Sequence, residues 1–252
     1  MKIIKCSIEK RENSIHKCYS IFGIKFKFKF LKFCNNKIVL IKNKKKYRLS
    51  PNQAKKKLGI NVVFEGLNNH LTIVDPCEIS GSEFIFRYNN NYVMLCGNNR
   101  ILLKCICHNN SKISIKKNTT MQSTRIHAYN NNIEIGEDCM FSSNIEIDGG
   151  AHAVYDNTTG EVLNFPTKPI SIGDHVWCGR YAFFTSKATI KNNCIVANNA
   201  VVCKPFDEDN VLIAGNPAQI KKRNINWSRH EPTVYKKLID ENKGARQKNA
   251  NT

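Results

Sequence analysis

The chain of 252 residues can bury a sizeable core, as one elongated domain or two compact ones. With 41% hydrophobic and 23% charged residues it reads as soluble and globular, and no apolar run reaches the ~18 residues of a membrane span. A net charge of +19 invites a nucleic-acid partner, but the lysines are scattered and neither RNP-like aromatics nor a helix-turn-helix pattern occurs, so no nucleic acid is expected.

The opening stretch MKIIKCSIEKRENS breaks into charge too early for a secretory signal, which points to the cytoplasm. The 11 cysteines agree: the number is odd, and no CxxC or Cys/His pair at zinc spacing occurs, so reduced, mostly buried thiols are expected. Residues 23–48 concentrate the basic charge. Their Lys/Phe alternation has period two and predicts a strand with phenylalanines on one face and lysines on the other. Such a strand is either half-buried or attracted to anionic lipid headgroups or an acidic glycan. Ser50 as N-cap, Pro51 in the first turn and Gly59 as stop then predict a short helix. Residues 1–60 are read as a basic N-terminal region.

From residue 61 a repeat sets in. NNHLTI (Asn68–Ile73), NNYVML (Asn90–Leu95), NNSKISI (Asn109–Ile115) and NNIEI (Asn131–Ile135) recur about every 20 residues. Paired asparagines suit corners, because Asn tolerates left-handed backbone and bonds its own main chain. From Ile172 the period tightens to six. Ile172, Cys178, Phe184, Ile190, Val196 and Val202 hold the first places; Val176, Ala182, Ala188, Cys194, Ala200 and Phe206 hold the fifth. An α-helix needs a spacing near 3.6 and a plain strand near 2, so a period of six means a short strand and a corner, repeated. Three such sides make one triangular coil of a parallel β-helix, its first positions filling the interior and its small fifth positions closing the corners. Gly173 and Gly179 are expected at tight corners that need positive φ. The regularity pauses once, at IDGGAHAVYDNTTGEVLN (Ile147–Asn164). Beyond the repeats, EPTVYKKLIDEN predicts a second short helix and KGARQKNANT a frayed tail.

IGDHVWCGR (Ile172–Arg180), the hexads after it and VLIAGNPAQIKKRNINW (Val211–Trp227) closely resemble the hexapeptide-repeat acyltransferases, nearest the bacterial polysaccharide and lipooligosaccharide O-acetyltransferases. The resemblance spans residues 61–228, and its specific part is 130–227. It implies a mainly β fold: a left-handed parallel β-helix of triangular coils over 61–220, with an active-site loop at 147–170 and a C-terminal segment, 221–252, bearing a helix. It also implies acetyl-CoA as co-substrate and a homotrimer with active sites between subunits.

In this family the interrupting loop carries a general-base histidine, and His152 matches it, with Asp156 and Thr159-Gly160 following. An imidazole with an ordinary pKa of ~6.5 suits proton transfer near neutrality. A backbone N–H would hold the oxyanion. Trp177, Asp156 and His175 are assigned by resemblance to the acceptor cleft. Gly179, Arg180, Ala197, Asn198, Lys204, Gly215, Asn216, Pro217, Lys221 and Lys222 are assigned to the cofactor, the lysines and Arg223 forming a phosphate patch. Two departures stand out: Gly149, Gly150 and Ala151 precede the histidine where relatives carry Ser or Asp, and Cys178 replaces Ile or Val. Asp156 either orients His152 or binds the acceptor.

The expected reaction is acetyl transfer to a hydroxyl of a bacterial cell-surface glycan, lipooligosaccharide or capsule, with sialic acid a candidate and peripheral contact with the inner membrane face. An N-acetyltransferase acting on an amino-sugar nucleotide is the alternative, although residues 1–60 hold no Gly-rich phosphate loop. A zinc hydratase built on His127, His152 and His175 is disfavoured because none form a close pair, and no metal is expected. His127 is read as structural or exposed. A catalytically inert scaffold would leave His152, Trp177 and AGNPA without purpose.

Overall fold

The structure is a computed structural model that describes residues 5–11, 14–21, 24–30, 35–150, 152–165 and 168–250, with backbone alone at 5–30 and 242–250. A left-handed parallel β-helix of about 7 turns carries most of it. One face is a 9-stranded sheet running from Lys37–Lys42 through His70–Val74, Tyr92–Leu95, Lys112–Ile115, Asn132–Ile135, Ile170–Ile172 and Thr189–Ile190 to Pro205–Phe206, edged by Lys45–Leu49. The other two faces share a 12-stranded sheet, because Asn99–Cys107, Thr120–Ala128 and Met140–Asp148 run unbroken around the corner between them. Register shifts at Ile101/Leu103 and Ser123/Thr124 mark that corner. Further along, these faces separate into Trp177–Cys178, paired with Met140–Phe141, and Phe183–Phe184, paired with Glu146–Ile147. We call them the first and second faces, and the 9-stranded sheet the third.

The six first-place residues of the hexads and the six fifth-place residues are all buried, as the period requires. Cys178 is among them, and Cys105 and Cys107 share an inward face with their sulfurs 3.7 Å apart. The asparagine pairs build the corner between second and third faces. Asn68, Asn90, Asn110 and Asn130 have φ of 58, 61, 54 and 47° and pass side-chain hydrogen bonds from coil to coil. Beneath them the buried Asn69 and Asn91 accept the backbone N–H of the next coil, Asn91 and Ser111 respectively.

Gly173 and Gly179 play a different part from the one expected. Neither has positive φ; His175, Tyr181, Asn193 and Asn199 take the left-handed conformation at these corners. The glycines serve close approach instead. A Cβ on Gly179 would sit 2.6 Å from Asn198 N, and one on Gly173 would sit 2.8 Å from Lys191 C, so the stacked coil leaves no room for a side chain.

The ends also differ from expectation in detail. The basic block divides: Ile24–Phe30 joins Lys5–Arg11 and Ser14–Ile21 in an antiparallel sheet, whereas Lys37–Lys42 pairs in parallel with His70–Val74. The β-helix thus reaches back to Lys37, ahead of the start at 61 read from the repeats. Which faces the alternating lysines and phenylalanines occupy lies outside the described residues. Helix α1, Pro51–Leu58, has the expected cap: Ser50 Oγ accepts Gln53 N–H at 3.2 Å, Gln53 Oε1 accepts Ser50 N–H at 2.8 Å, and Gly59 ends it at φ 68°. Helix α2 spans Pro232–Ala250, so the segment from Lys243 read as a frayed tail is helical. Ala, Arg, Gln and Lys are good helix formers and outweigh the single Gly244.

Candidate active site

The interrupting loop leaves the stack at the corner between second and third faces, after Met140–Asp148, and rejoins it at Ile170–Ile172. It folds as a hairpin. Tyr155 bridges Val162, Asp156 N–H donates to Glu161 O at 2.8 Å, and Leu163 N–H donates to Val154 O at 2.8 Å. The tip is closed by Asp156, whose Oδ1 accepts the N–H groups of Thr158 and Thr159, both at 2.8 Å, while Gly160 turns at φ 73°. The backbone N–H groups of Thr159 and Thr158 hold the exposed Asp156 carboxyl below the usual carboxylate range. Asp156 therefore shapes the hairpin tip.

Asn164, which sequence reasoning did not single out, ties the two arms. Its Nδ2 donates to His152 O at 2.7 Å, and its Oδ1 accepts Val154 N–H at 2.9 Å. The His152 imidazole is exposed and makes no hydrogen bond among the described residues. Val154, Tyr155, Val162, Leu163 and Phe165 are also exposed, Phe165 at 69%.

The cofactor residues fall on a different corner, between first and second faces. Gly179 N–H donates to Val196 O and Ala197 N–H to Ile213 O, both at 2.8 Å, while Arg180 N–H donates to Asn198 Oδ1 at 2.8 Å. Val201 N–H donates to Gly215 O at 3.0 Å and Ala218 N–H to Val201 O at 2.9 Å, which lays the Gly215–Pro217 turn on the same column. The structure thus brings together Gly179, Arg180, Ala197, Asn198, Gly215, Asn216 and Pro217. Lys204 is not with them: it follows Val201–Val202 at the loop's corner, its Nζ 5.5 Å from the Phe206 ring centroid. Arg223 is committed to Glu208 by two contacts of 2.7 and 3.0 Å, leaving Lys221 and Lys222 exposed after the turn.

His175 and Trp177 serve the C-terminal segment. His175 Nδ1 lies 2.7 Å from Asp138 Oδ2 and its Nε2 3.2 Å from Trp227 O, so both ring nitrogens are engaged and its place in the acceptor cleft is not supported by a free group. Its ring stacks on Trp227 at 4.3 Å, and Trp227 Nε1–H donates to His175 O at 2.8 Å. Trp177 points outward from the first face, 36% exposed, 6.2 Å from Trp227. His127 is on the second face near the loop, and His175 is on the corner between third and first faces, so these two do not converge with His152 as a zinc site requires.

No family model matches the sequence. Among characterised proteins, the polysialic acid O-acetyltransferase of Escherichia coli O1:K1 / APEC is 30% identical over 154 residues, 60% of this chain and 48% of that protein. The galactoside O-acetyltransferase of Escherichia coli strain K12 is 28% identical over 90 residues, 35% of this chain and 42% of that protein. The chain spans about half the length of these curated relatives. Two solved structures match more fully. The polySia-specific acetyltransferase NeuO superposes with a TM-score of 0.66 and 30% identity, covering 69% of this chain and 80% of that one. The polysialic acid O-acetyltransferase OatWY gives 0.58 and 32%, covering 70% and 94%. Shared coils, identities of 30% and 32% and coverage of 80% and 94% of these two solved acetyltransferases make the chain a member of the hexapeptide-repeat acyltransferase family.

Proposed function

We propose that the protein transfers an acetyl group from acetyl-CoA to a hydroxyl of an acidic cell-surface glycan, with a sialic acid polymer the leading acceptor and His152 the general base. The observation that carries this reading is the exposed imidazole of His152, without a hydrogen-bond partner among the described residues, on a hairpin anchored to a rigid coil stack. The Nε2 or Nδ1 lone pair takes the hydroxyl proton as the oxygen attacks the acyl carbon, and the imidazolium returns it to the departing sulfur. Backbone N–H groups supply the oxyanion contact. Acetyl-CoA brings the activated thioester.

The corner of Gly179, Ala197 and Gly215 fits that co-substrate. Three small residues in succession keep the column free of bulky side chains, so a long, thin chain can lie along it. Arg180, Lys221 and Lys222, exposed and without an ion-pair partner among the described residues, are the cations we assign to its phosphates, beside Asn198, Asn216 and Pro217.

His152 and the cofactor column lie at different corners of one triangle, and a face of about five residues is roughly 16 Å wide. A neighbouring copy that presents its cofactor column to the loop brings them together, and the exposed apolar hairpin gives that copy a surface to cover. We therefore read the working unit as a homotrimer. No described helix is long and apolar enough to cross a membrane. On the basic composition of residues 23–48 we propose a cytoplasmic location, with that region meeting the anionic inner membrane face.

The test is a panel of polysialic acid, neutral sugars and amino-sugar nucleotides incubated with acetyl-CoA and read by mass spectrometry. O-acetylation of the acidic glycan, reduced at least ~10²-fold in His152→Ala with acetyl-CoA binding kept, is expected. Acetylation confined to amines would turn the assignment to N-acetyl transfer, and near-normal turnover in the variant would remove His152 as base.

A further inference from the structure

The corner between first and second faces carries more than the cofactor column. Along it Asn144, Tyr181 and Asn199 hold the same place in successive coils. Tyr181 N–H donates to Ser143 O at 3.2 Å, and Asn199 N–H donates to Arg180 O at 2.9 Å. All three are left-handed, with φ of 59, 59 and 57°. Asn takes that conformation at little cost, whereas a bulky side chain there strains the backbone. Tyr181 recovers little of that strain by burial in its own chain, because it is 56% exposed. An exposed aromatic at a left-handed corner, between two asparagines, is a residue that stability does not explain.

The ring borders a groove of about 530 Å³ that runs along the same corner, away from the cofactor column. Leu102, Lys104, Ser123, Arg125 and Glu146, drawn from the three coils before that of Tyr181, line the rest. On the other side of the ring, Arg180 N–H donates to Asn198 Oδ1, so Tyr181 stands where groove and cofactor column meet. The charges in the groove balance: Lys104 Nζ lies 2.9 Å from Glu83 Oε2, and Arg125 Nη1 lies 3.6 Å from Glu146 Oε1. Such a lining presents no net field to a phosphate, but it sets donors and acceptors side by side. Sugar hydroxyls, which both donate and accept, match it. The Tyr181 ring and the exposed Leu102 add apolar surface for the C–H face of a sugar. Attraction of an acidic polymer falls to the net charge of +19, and the groove reads the sugar rings.

We propose that this groove holds the glycan next to the sugar being acetylated, and that Tyr181 is an acceptor-binding residue whose ring stacks on it at the head of the cofactor column. This rests on the reading of the protein as a glycan O-acetyltransferase. In the trimer proposed above, the neighbour's His152 comes to the same corner, so base, thioester and sugar converge there.

Tyr181→Asn gives the corner the residue that Asn144 and Asn199 already supply, so the variant should be at least as stable as wild type. With acetyl-CoA and polysialic acid, its KM for the polymer should rise about tenfold, with kcat and the KM for acetyl-CoA kept within about twofold. Tyr181→Phe keeps the ring and should stay near wild type. Calorimetric titration with polysialic acid in the absence of acetyl-CoA, hence without turnover, should show the same loss in the Asn variant and none in the Phe variant. Equal polymer KM and equal binding in wild type and Tyr181→Asn would overturn the inference. So would an Asn variant that unfolds more readily, or that sediments as a smaller assembly, since the ring would then be a structural or subunit contact. Wild type that neither binds nor acetylates polysialic acid would instead remove the acceptor reading, a result seen without any variant.

Discussion

The Arg229 guanidinium reaches Asp138, 91 positions back in the chain, with Nε 2.9 Å from Oδ1. The same group donates to Thr120 Oγ1 at 3.0 Å, Asn118 O at 3.1 Å and Cys139 O at 3.0 Å, and its Cζ lies 5.7 Å from the Trp227 ring. Asp138 in turn meets His175, so one arginine and one carboxylate fasten the segment after the repeats to three successive coils. Planar, multiply donating guanidinium is the group for this; a lysine would replace one bond of the four.

Arg229→Ala should destabilise the chain by about 1–3 kcal/mol in urea unfolding, the cost of removing the donor to the Asn118 carbonyl and of leaving the Cys139 carbonyl with Thr120 N–H alone and the Asp138 carboxylate with His175 alone. The sign with pH is fixed by Asp138. Burial pushes its carboxyl up, but hydrogen bonds from His175 and Arg229 outweigh that and hold it below the usual value. A depressed carboxyl stabilises the fold above its unfolded pKa of ~3.9, and the contribution is lost as pH falls through the folded value. The gap between wild type and Arg229→Ala should therefore be constant above about pH 5 and shrink in acid. Tryptophan emission should change in the variant, because Trp227 loses the guanidinium from its ring face.

Gly150, two positions before His152, has a steric explanation in Tyr129. A Cβ on Gly150 would collide with the Tyr129 Cβ one coil away. Gly150→Ser should loosen the loop and lower turnover, and Tyr129→Gly in the same chain, which removes the clashing Cβ, should recover much of the loss. Non-additive double-mutant kinetics would show the clash; additive losses would show that Tyr129 does not set the glycine.

Much of this architecture is legible in the residues because a β-helix repeats one environment. Ile172, Cys178 and Phe184 announce the interior by spacing alone, and Asn68, Asn90 and Asn110 announce a corner because left-handed backbone favours Asn. What the pattern hides is contact between stacked coils. Gly179 is small because Asn198 lies beneath it, a relation 19 positions apart that φ preferences do not reveal. Arg229 and Asn164 are illegible for the same reason: each is defined by a partner on another coil or arm, and no local spacing encodes it. The corner that each loop leaves from is likewise set by counting faces, which is why Lys204 looked like a neighbour of Lys221 in the sequence.

Asn91 should be the most sensitive of the corner asparagines. Fully buried, it accepts Ser111 N–H at 3.0 Å and donates to Asn69 Oδ1 and Arg87 O, both at 2.9 Å. Asn91→Ala strands the Ser111 N–H and the Arg87 carbonyl and leaves Asn69 Oδ1 with the Asn91 backbone N–H alone, an expected loss of about 2–4 kcal/mol in chemical denaturation. Asn110, exposed at φ 54°, gives a contrast. Asn110→Gly should be nearly neutral because glycine takes that conformation freely, whereas Asn110→Val should cost about 1–2 kcal/mol.

The hairpin offers the test of assembly. Tyr155 and Phe165 are 61% and 69% exposed in the single chain, on an element whose backbone is secured by Asp156 and Asn164 rather than by these side chains. Replacing both by serine removes apolar surface without touching the turn, so the fold and its unfolding midpoint should change little. If the loop docks on a neighbouring cofactor column, sedimentation should show trimers for wild type and monomers for Tyr155→Ser/Phe165→Ser at the same concentration. The monomer should bind acetyl-CoA weakly and turn over at least ~10²-fold more slowly, because the base and the thioester are no longer held together. A double variant that remains trimeric would place the subunit contact elsewhere, and a monomer with full turnover would mean that His152 reaches the cofactor within its own chain.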